Sequence, residues 1–297
     1  MTTSCAATVS YLATVCDWYS SHARDLPWRH ADATPWSILV SEVMLQQTPV
    51  SRVLPAHAAW LRRWPEPAAL AAASAADAVR QWDRLGYPRR AVRLHASAVV
   101  ITTRYGGQVP ATADQLRSLP GVGTYTAAAV ASFAFGERQA VLDTNVRRVL
   151  ARLVTGIAGP APAPTVAERQ LAERLLPADG ALAARWSVGL MELGALVCTA
   201  ARPRCGHCPL AGRCAWVRLG RPTAPSRRAA PGYDGSDRQC RGHLLAVLRS
   251  AEGPVPAAAL EAAWPDAAQR ARALGGLIDD GLVTRGADGS LALPGDA

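Results

Sequence analysis

Four cysteines, Cys198, Cys205, Cys208 and Cys214, are spaced C-x6-C-x2-C-x5-C in LVCTAARPRCGHCPLAGRCAW. Thiolates this close in sequence can converge on one centre, and soft sulfur ligands favour an iron–sulfur cluster or zinc. A structural zinc site usually draws its cysteines as two close pairs. Here one close pair is flanked by single cysteines at longer gaps, which argues for iron. Two disulfides or unrelated buried thiols are the competing readings, disfavoured because the chain shows no secretory signal and disulfides are rare in a reducing cytosol. The remaining cysteines, Cys5, Cys16 and Cys240, read as small buried hydrophobes.

Two carboxylates sit where solvated ones are not expected. Glu42 lies in WSILVSEVMLQQTPV (36–50), with Val40, Val43, Met44 and Leu45 leaving little room for a solvated face, and Asp143 lies in VLDTNVRRVLAR (141–152). Asp143 is also well placed to cap the helix that starts at Thr144, so a purely structural role is a serious alternative for it. Between them, LPGVGTYTAAAVASFAFG (119–136) closes one helix near Leu119, turns tightly through Pro120-Gly121-Val122-Gly123 and opens another at about Thr124. Two glycines allow close backbone approach to a ligand, and the free N–H groups at the helix start suit a DNA phosphate.

The elements that must position these groups are helical. Apolar residues recur at helical spacing in about 8–20, 36–46, 50–63, 75–84, 89–104, 123–135, 143–154, 165–176 and 181–197, and no run of β-branched alternation predicts a sheet core. The chain has 297 residues, enough for one large domain or two to three modest ones. We expect a core over 1–217, a Pro-, Gly- and Arg-rich linker over 218–237, and a small module over 238–297. That module has helices at 238–250, 256–264 and 267–280 and a terminal hairpin, a winged-helix-like pattern in which Arg270, Arg272 and Arg285 could meet phosphate. The net charge is +9, carried by 32 arginines and no lysine, with a pI near 9.7. Such a balance favours a polyanionic partner. No apolar run is long enough to span a bilayer, so a cytoplasmic, nucleoid-associated protein without membrane contact is expected.

Taken in order, SEVMLQQT, LGY, LPGVGTYTA, LDTNVRRVLAR and the cysteine loop resemble the endonuclease III superfamily of DNA glycosylases, and within it the adenine DNA glycosylases of the MutY type, over about residues 8–216. The resemblance implies an all-α, two-lobed helix-hairpin-helix body with a [4Fe-4S] cluster on Cys198, Cys205, Cys208 and Cys214 (loop 198–214). It implies double-stranded DNA containing mismatched adenine as partner, met by a monomer, with the flipped base in a pocket between the lobes. Glu42 would protonate the adenine, its apolar setting raising its pKa, and Asp143 would stay ionised beside the cationic sugar. Tyr125 and Asn145 would assist the same centre. Gln47, Thr48, Leu85 and Tyr87, with Gly121, Val122 and Gly123 of the hairpin, would bind DNA, Gln47 and Tyr87 by wedging into the duplex. Trp28 and Arg29 would wall the pocket. Arg202, Arg204 and Arg213 of the cluster loop would lie against phosphate.

Bifunctional members of the superfamily use a lysine where this chain has Tyr125, and no lysine exists anywhere to replace it, so base removal without strand cleavage is expected. The chain also departs from the family: the β-rich C-terminal domain that resembles Nudix hydrolases and reads 8-oxoguanine is larger than residues 238–297. The expected substrate is adenine opposite 8-oxoguanine or guanine. A thymine or uracil glycosylase acting on G·T or G·U mismatches, and a non-catalytic DNA-binding protein, are the alternatives.

Overall fold

The computed structural model describes residues 5–223 and 232–296, with side chains from residue 11 onward; residues 224–231 of the expected linker lie outside the described residues. Helices dominate, and the strand content among the described residues is one short antiparallel pair, β1 (Thr284–Arg285) and β2 (Leu291–Ala292), with Val255 bridging to Leu291. None of the described helices is long and apolar enough to cross a membrane. The described chain divides into two compact units, one formed by 5–38, 111–117 and 123–223, the other by 39–110, 118–122 and 232–296.

In chain order the helices are α1 (Cys5–His22), α2 (Pro35–Met44), α3 (Val50–Arg63), α4 (Pro67–Ala71), α5 (Ala75–Trp82), α6 (Arg89–Arg104), α7 (Ala113–Arg117), α8 (Thr124–Phe135), α9 (Thr144–Leu150), α10 (Val166–Leu175), α11 (Gly180–Leu196) and α12 (Ala215–Arg218). Beyond residue 232 follow α13 (Asp237–Ser250), α14 (Ala258–Glu261) and α15 (Ala267–Asp279). Local chemistry sets several starts. Ser74 with Asp77 and Thr165 with Glu168 form capping boxes at α5 and α10.

The first unit packs α1, α9, α10 and α11 around Trp18, Val146, Leu150, Leu175, Trp186 and Leu190. In the second unit, Trp60 stands edge-on to Trp64 and Trp82, with centroids 4.7 and 5.6 Å apart. That geometry is preferred over face-to-face stacking because ring edges are positive and ring faces negative. Fully buried Leu70, Leu94 and Ile101 complete the apolar interior there.

Four expectations need correction. The short helices α4, α7 and α12 fall outside the expected set, being too short for a periodic signal. The helix expected over 256–264 forms only as α14, Ala258–Glu261. The helix expected over 143–154 is α only to Leu150 and continues as a wider π turn over Ala151–Thr155. The helix expected to reach residue 46 stops at Met44, because Arg90 takes its last carbonyls out of the helical pattern.

Arg90 is buried, and its Nη1 donates to the carbonyls of Val43 (2.9 Å), Met44 (2.7 Å) and Gln46 (2.7 Å). Its Nη2 donates to the Thr48 hydroxyl at 2.9 Å and the Gly86 carbonyl at 2.8 Å. One guanidinium thus satisfies the C-terminal carbonyls of α2 and ties the loop after it to the loop before α6. Burial lowers the Arg90 pKa to about 10, with the Tyr87 side chain opposing the shift and the Arg52 charge adding to it. The guanidinium also lies over the Trp82 and Tyr87 rings, 5.0 and 5.5 Å from their centroids. Arg90→Lys keeps a positive charge but loses the fork, stranding buried carbonyls; unfolding by denaturant should show a loss of about 2 kcal/mol or more.

Candidate DNA-glycosylase site

In the second unit, α2 carries Glu42 into the interior, where it is 4% exposed, alongside buried Val40, Ser41, Val43 and Met44. The loop after α2 presents Gln47 outward with φ +55°, and the loop before α6 presents Tyr87, 54% exposed, with φ +48°. Positive φ in a non-glycine residue costs on the order of 1 kcal/mol and persists only where surroundings enforce it. Here the enforcement is Arg90, with the Thr48 hydroxyl, which lies 3.5 Å from the Leu85 carbonyl. Thr48 and Leu85 are themselves buried, and the Thr48 hydroxyl and the Leu85 carbonyl link the two loops.

The hairpin turn over 118–122 belongs to this unit. Val122 N–H donates to the Leu119 carbonyl (3.1 Å), and Ser97 donates to the Pro120 carbonyl (2.7 Å) from α6. Gly121 has φ +78°, and a Cβ there would stand 2.8 Å from the Arg93 side chain, so both conformation and space require glycine. Gly121 and Gly123 are exposed while Val122 is buried, which leaves the backbone, not the valine side chain, available to a phosphate.

In the first unit, Asp143 caps α9. Its carboxylate accepts from Val146 N–H at 2.6 Å and from Asn145 Nδ2 at 2.7 Å. Burial pushes the Asp143 pKa up, and these donors together with the Arg148 charge pull against it. Arg148 Nη2 in turn holds Asn145 Oδ1 at 2.7 Å and the Gly194 carbonyl at 2.8 Å, while its Nε reaches the Cys198 carbonyl at 2.7 Å. An unbroken chain of hydrogen bonds therefore runs from Asp143 to the cysteine loop. Gly194 on α11 makes room for it, because a Cβ there would meet Asn145 Cβ at 2.6 Å. Tyr125 lies partly buried in the first turn of α8.

The four cysteines are in no disulfide and line one cavity with Arg152, Val197, Pro203, Ala211, Trp216 and Val217. Arg152 donates to Cys198 Sγ at 3.3 Å and to the carbonyls of Thr199 and Ala200, and stacks over Trp216 at 4.6 Å. Burial raises the thiol pKa of Cys198 and of Cys208, the latter to about 11. Of the loop arginines, Arg204 donates to the Leu196 carbonyl. Among the described residues, no three His, Cys, Asp or Glu side chains are grouped so that they could hold a metal ion. The donor set itself, four thiols around an apolar space, is of the soft kind that suits an iron–sulfur cluster or zinc.

Trp28 and Arg29 lie in a short 3-10 turn (Pro27–Arg29), Trp28 buried. Arg29 is not free to act alone: its Nη1 bonds Glu192 Oε2 at 2.6 Å. Glu192, wholly buried on α11, also takes Arg24 Nε at 2.6 Å, Arg24 Nη2 at 3.0 Å and the Arg24 N–H at 3.0 Å. Sequence reasoning missed Glu192, Arg24, Arg90, Arg148 and Arg152. The one available signal was Glu192 itself, a lone acid within the apolar run VGLMELGALV.

A hairpin of this form, a buried glutamate, a helix-capping aspartate and a four-cysteine loop define the class of helix-hairpin-helix DNA repair proteins. A profile described as "HhH-GPD superfamily base excision DNA repair protein" matches residues 40–177. The adenine DNA glycosylase of Mycobacterium tuberculosis (strain ATCC 25618 / H37Rv) is 54% identical over 94% of this chain and 92% of its own length. That of Mycolicibacterium smegmatis is 52% identical over 94% of both chains. A solved thermostable thymine-DNA glycosylase superposes with a TM-score of 0.63 at 28% identity, over 71% of this chain and 97% of its own. The chain belongs to the HhH-GPD superfamily of base excision DNA repair proteins, in the adenine DNA glycosylase family.

The buried Glu192 gives a pH signature. Burial would raise its pKa, but hydrogen bonds from Arg24 and the charge of Arg29 outweigh this and hold it below the usual range. A depressed pKa contributes stability that is present above the unfolded value of about 4.3 and is lost as pH falls through the folded value. Acid unfolding followed by tryptophan fluorescence should therefore steepen below about pH 4 in the wild type, and Glu192→Gln should flatten that limb and lower stability at neutral pH.

Proposed function

We propose that the protein is a monofunctional adenine DNA glycosylase that hydrolyses the N-glycosidic bond of adenine opposite 8-oxoguanine or guanine in double-stranded DNA. The observation that carries this reading is a carboxyl, Glu42, taken into an apolar helix inside a chain 54% identical to an adenine DNA glycosylase over nearly its whole length. The thymine glycosylase reading rests on a more distant likeness, since the thymine-DNA glycosylase of Aeropyrum pernix is 38% identical over 67% of this chain. Protonation at a purine nitrogen also has no direct counterpart on thymine.

Adenine departs poorly as an anion, so the leaving base needs a proton and the sugar acquires cationic character. Glu42, buried on α2, is the general acid that supplies that proton. Asp143, held by Val146 N–H, Asn145 and the Arg148 charge, is the anion beside the sugar, and those donors oppose the effect of its burial. Tyr125 and Asn145 assist this centre. With no lysine in the chain, no amine side chain is available for imine formation, and the abasic strand stays intact.

Gln47 and Tyr87 enter the duplex as the adenine leaves the stack, and the exposed hairpin backbone at Gly121 and Gly123 takes a phosphate. Trp28 and Arg29 wall the base pocket, Arg29 oriented by Glu192. Cys198, Cys205, Cys208 and Cys214 hold a [4Fe-4S] cluster that orders the 198–214 loop and supplies no step of base removal. The protein acts as a monomer in the cytoplasm, beside the nucleoid.

The test is strand cleavage, before and after alkali, on duplexes with A opposite 8-oxoguanine, A opposite G, T opposite G and U opposite G. Cleavage at adenine alone, and only after alkali, is the expected result; product at T or U would move the protein to the mismatch branch. Glu42→Gln should abolish excision with DNA affinity nearly unchanged, and loss of folding instead would make Glu42 structural. Cys205→Ser should remove the brown absorbance of an iron–sulfur cluster and solubility together; a colourless, soluble and active variant would sink the cluster assignment.

A further inference from the structure

The residues beyond the linker have no part in the mechanism above, and their charge argues against a direct role on DNA. Residues 238–297 carry six arginines against seven carboxylates, whereas residues 1–237 carry twenty-six against sixteen. Several of the six are committed within the protein. Arg270 donates to the Trp264 carbonyl at 2.6 Å, Arg241 is ion-paired with Asp280, and Arg272 lies 3.5 Å from Asp237. Of the three arginines expected to meet phosphate, Arg270 thus has its partner inside the module and Arg272 has one in Asp237, the residue just before it.

What this segment does grip is the pair of helices that flank the Tyr87 loop. Arg80, in the last turn of α5, forms a two-pronged ion pair with Asp296, 3.0 Å on the Nη1 prong, and donates to the Ala251 carbonyl at 2.9 Å. Arg89, the first residue of α6, pairs with Asp280 at 2.9 Å, and the other oxygen of Asp280 holds Arg241. The chain end follows the same surface, since a Cβ at Gly295 would lie 3.5 Å from Ser74 Cβ at the start of α5. Between the two gripped helices, Asp83, Gly86 and Tyr87 have φ of +42°, +90° and +48°. A loop with three positive φ values in five residues does not hold that shape by itself. Arg90 and Thr48 fasten it from the α2 side. Asp280 and Asp296 fasten its two flanking helices from the other.

We propose that residues 238–297 are a fixed brace for the Asp83–Tyr87 loop, with Asp280 and Asp296 as positioning residues for Tyr87, and are not a domain that reads the opposite base. The proposal rests on the reading of Tyr87 as a duplex wedge. A wedge must enter the stack at a set depth, and a misplacement of about 1 Å can cost up to about a hundredfold in rate.

The test uses the full chain and single-turnover excision of adenine opposite guanine, comparing Asp280→Asn, Asp296→Asn, Tyr87→Ala and the two double variants with Tyr87→Ala. Each aspartate change should slow excision on the order of tenfold, with affinity for undamaged duplex and the melting midpoint unchanged. Each should add little to Tyr87→Ala, because residues acting through one element are not additive. Asp296→Glu should restore the rate. Wild-type rates for the aspartate variants beside a slow Tyr87→Ala would overturn the brace and leave the wedge standing, as would losses that simply add. A full rate for Tyr87→Ala would remove the wedge and the brace with it. If a single aspartate change lowers the melting midpoint, the charge swap Arg80→Asp with Asp296→Arg decides: a folded swap at the wild-type rate supports the brace, and a folded but slow one overturns it.

Discussion

Backbone carbonyls at the ends of short helices must find donors, and in this protein buried guanidinium groups supply many of them. Arg90 closes the end of α2, Arg148 takes carbonyls of Gly194 and Cys198, and Arg152 takes those of Ala158, Thr199 and Ala200. A planar group with five N–H donors can serve several carbonyls that point in different directions, which an ammonium on a flexible stem does less well. A chain with 32 arginines and no lysine is suited to that architecture. The cost is desolvation, visible in the depressed pKa values of Arg90 and Arg148. Multiple hydrogen bonds offset it.

This arrangement lets irregular backbone carry function. Gln47 and Tyr87 sit in loops whose positive φ values would relax if their supports were removed, and both supports converge on Arg90. Arg90 touches no ligand in the mechanism; its part is to keep two strained tips presented at once. Glu192 does comparable work in the other unit, where it binds Arg24 and Arg29 and so anchors the Pro27–Arg29 turn.

The cysteine loop is joined to the Asp143 end of the first unit by the same chemistry. Asp143, Asn145, Arg148 and the Cys198 carbonyl form one hydrogen-bonded series, and Arg152 adds a contact to Cys198 Sγ and a stack on Trp216. Ordering the loop therefore orders the helix cap that holds the carboxylate. The π turn after α9 is consistent with this, since it lies where Arg152 must leave the helical path to reach the loop carbonyls.

Features legible in the sequence were those written in local spacing: the cysteine loop, the Gly-x-Gly turn, Asp143 as a cap that bonds three residues ahead, and the long helices, with α6 found over its full extent. Each depends on residues a few positions apart, so type and interval suffice. Short helices without a full period, the π turn and the early end of α2 were not legible, because tertiary donors decide them. Nor could the sequence rank one arginine above another. Arg90 meets Met44 from 46 residues away, and Arg24 meets Glu192 from 168. A guanidinium is chemically the same at every position in the chain, and only the folded backbone decides which are buried against carbonyls and which remain in water.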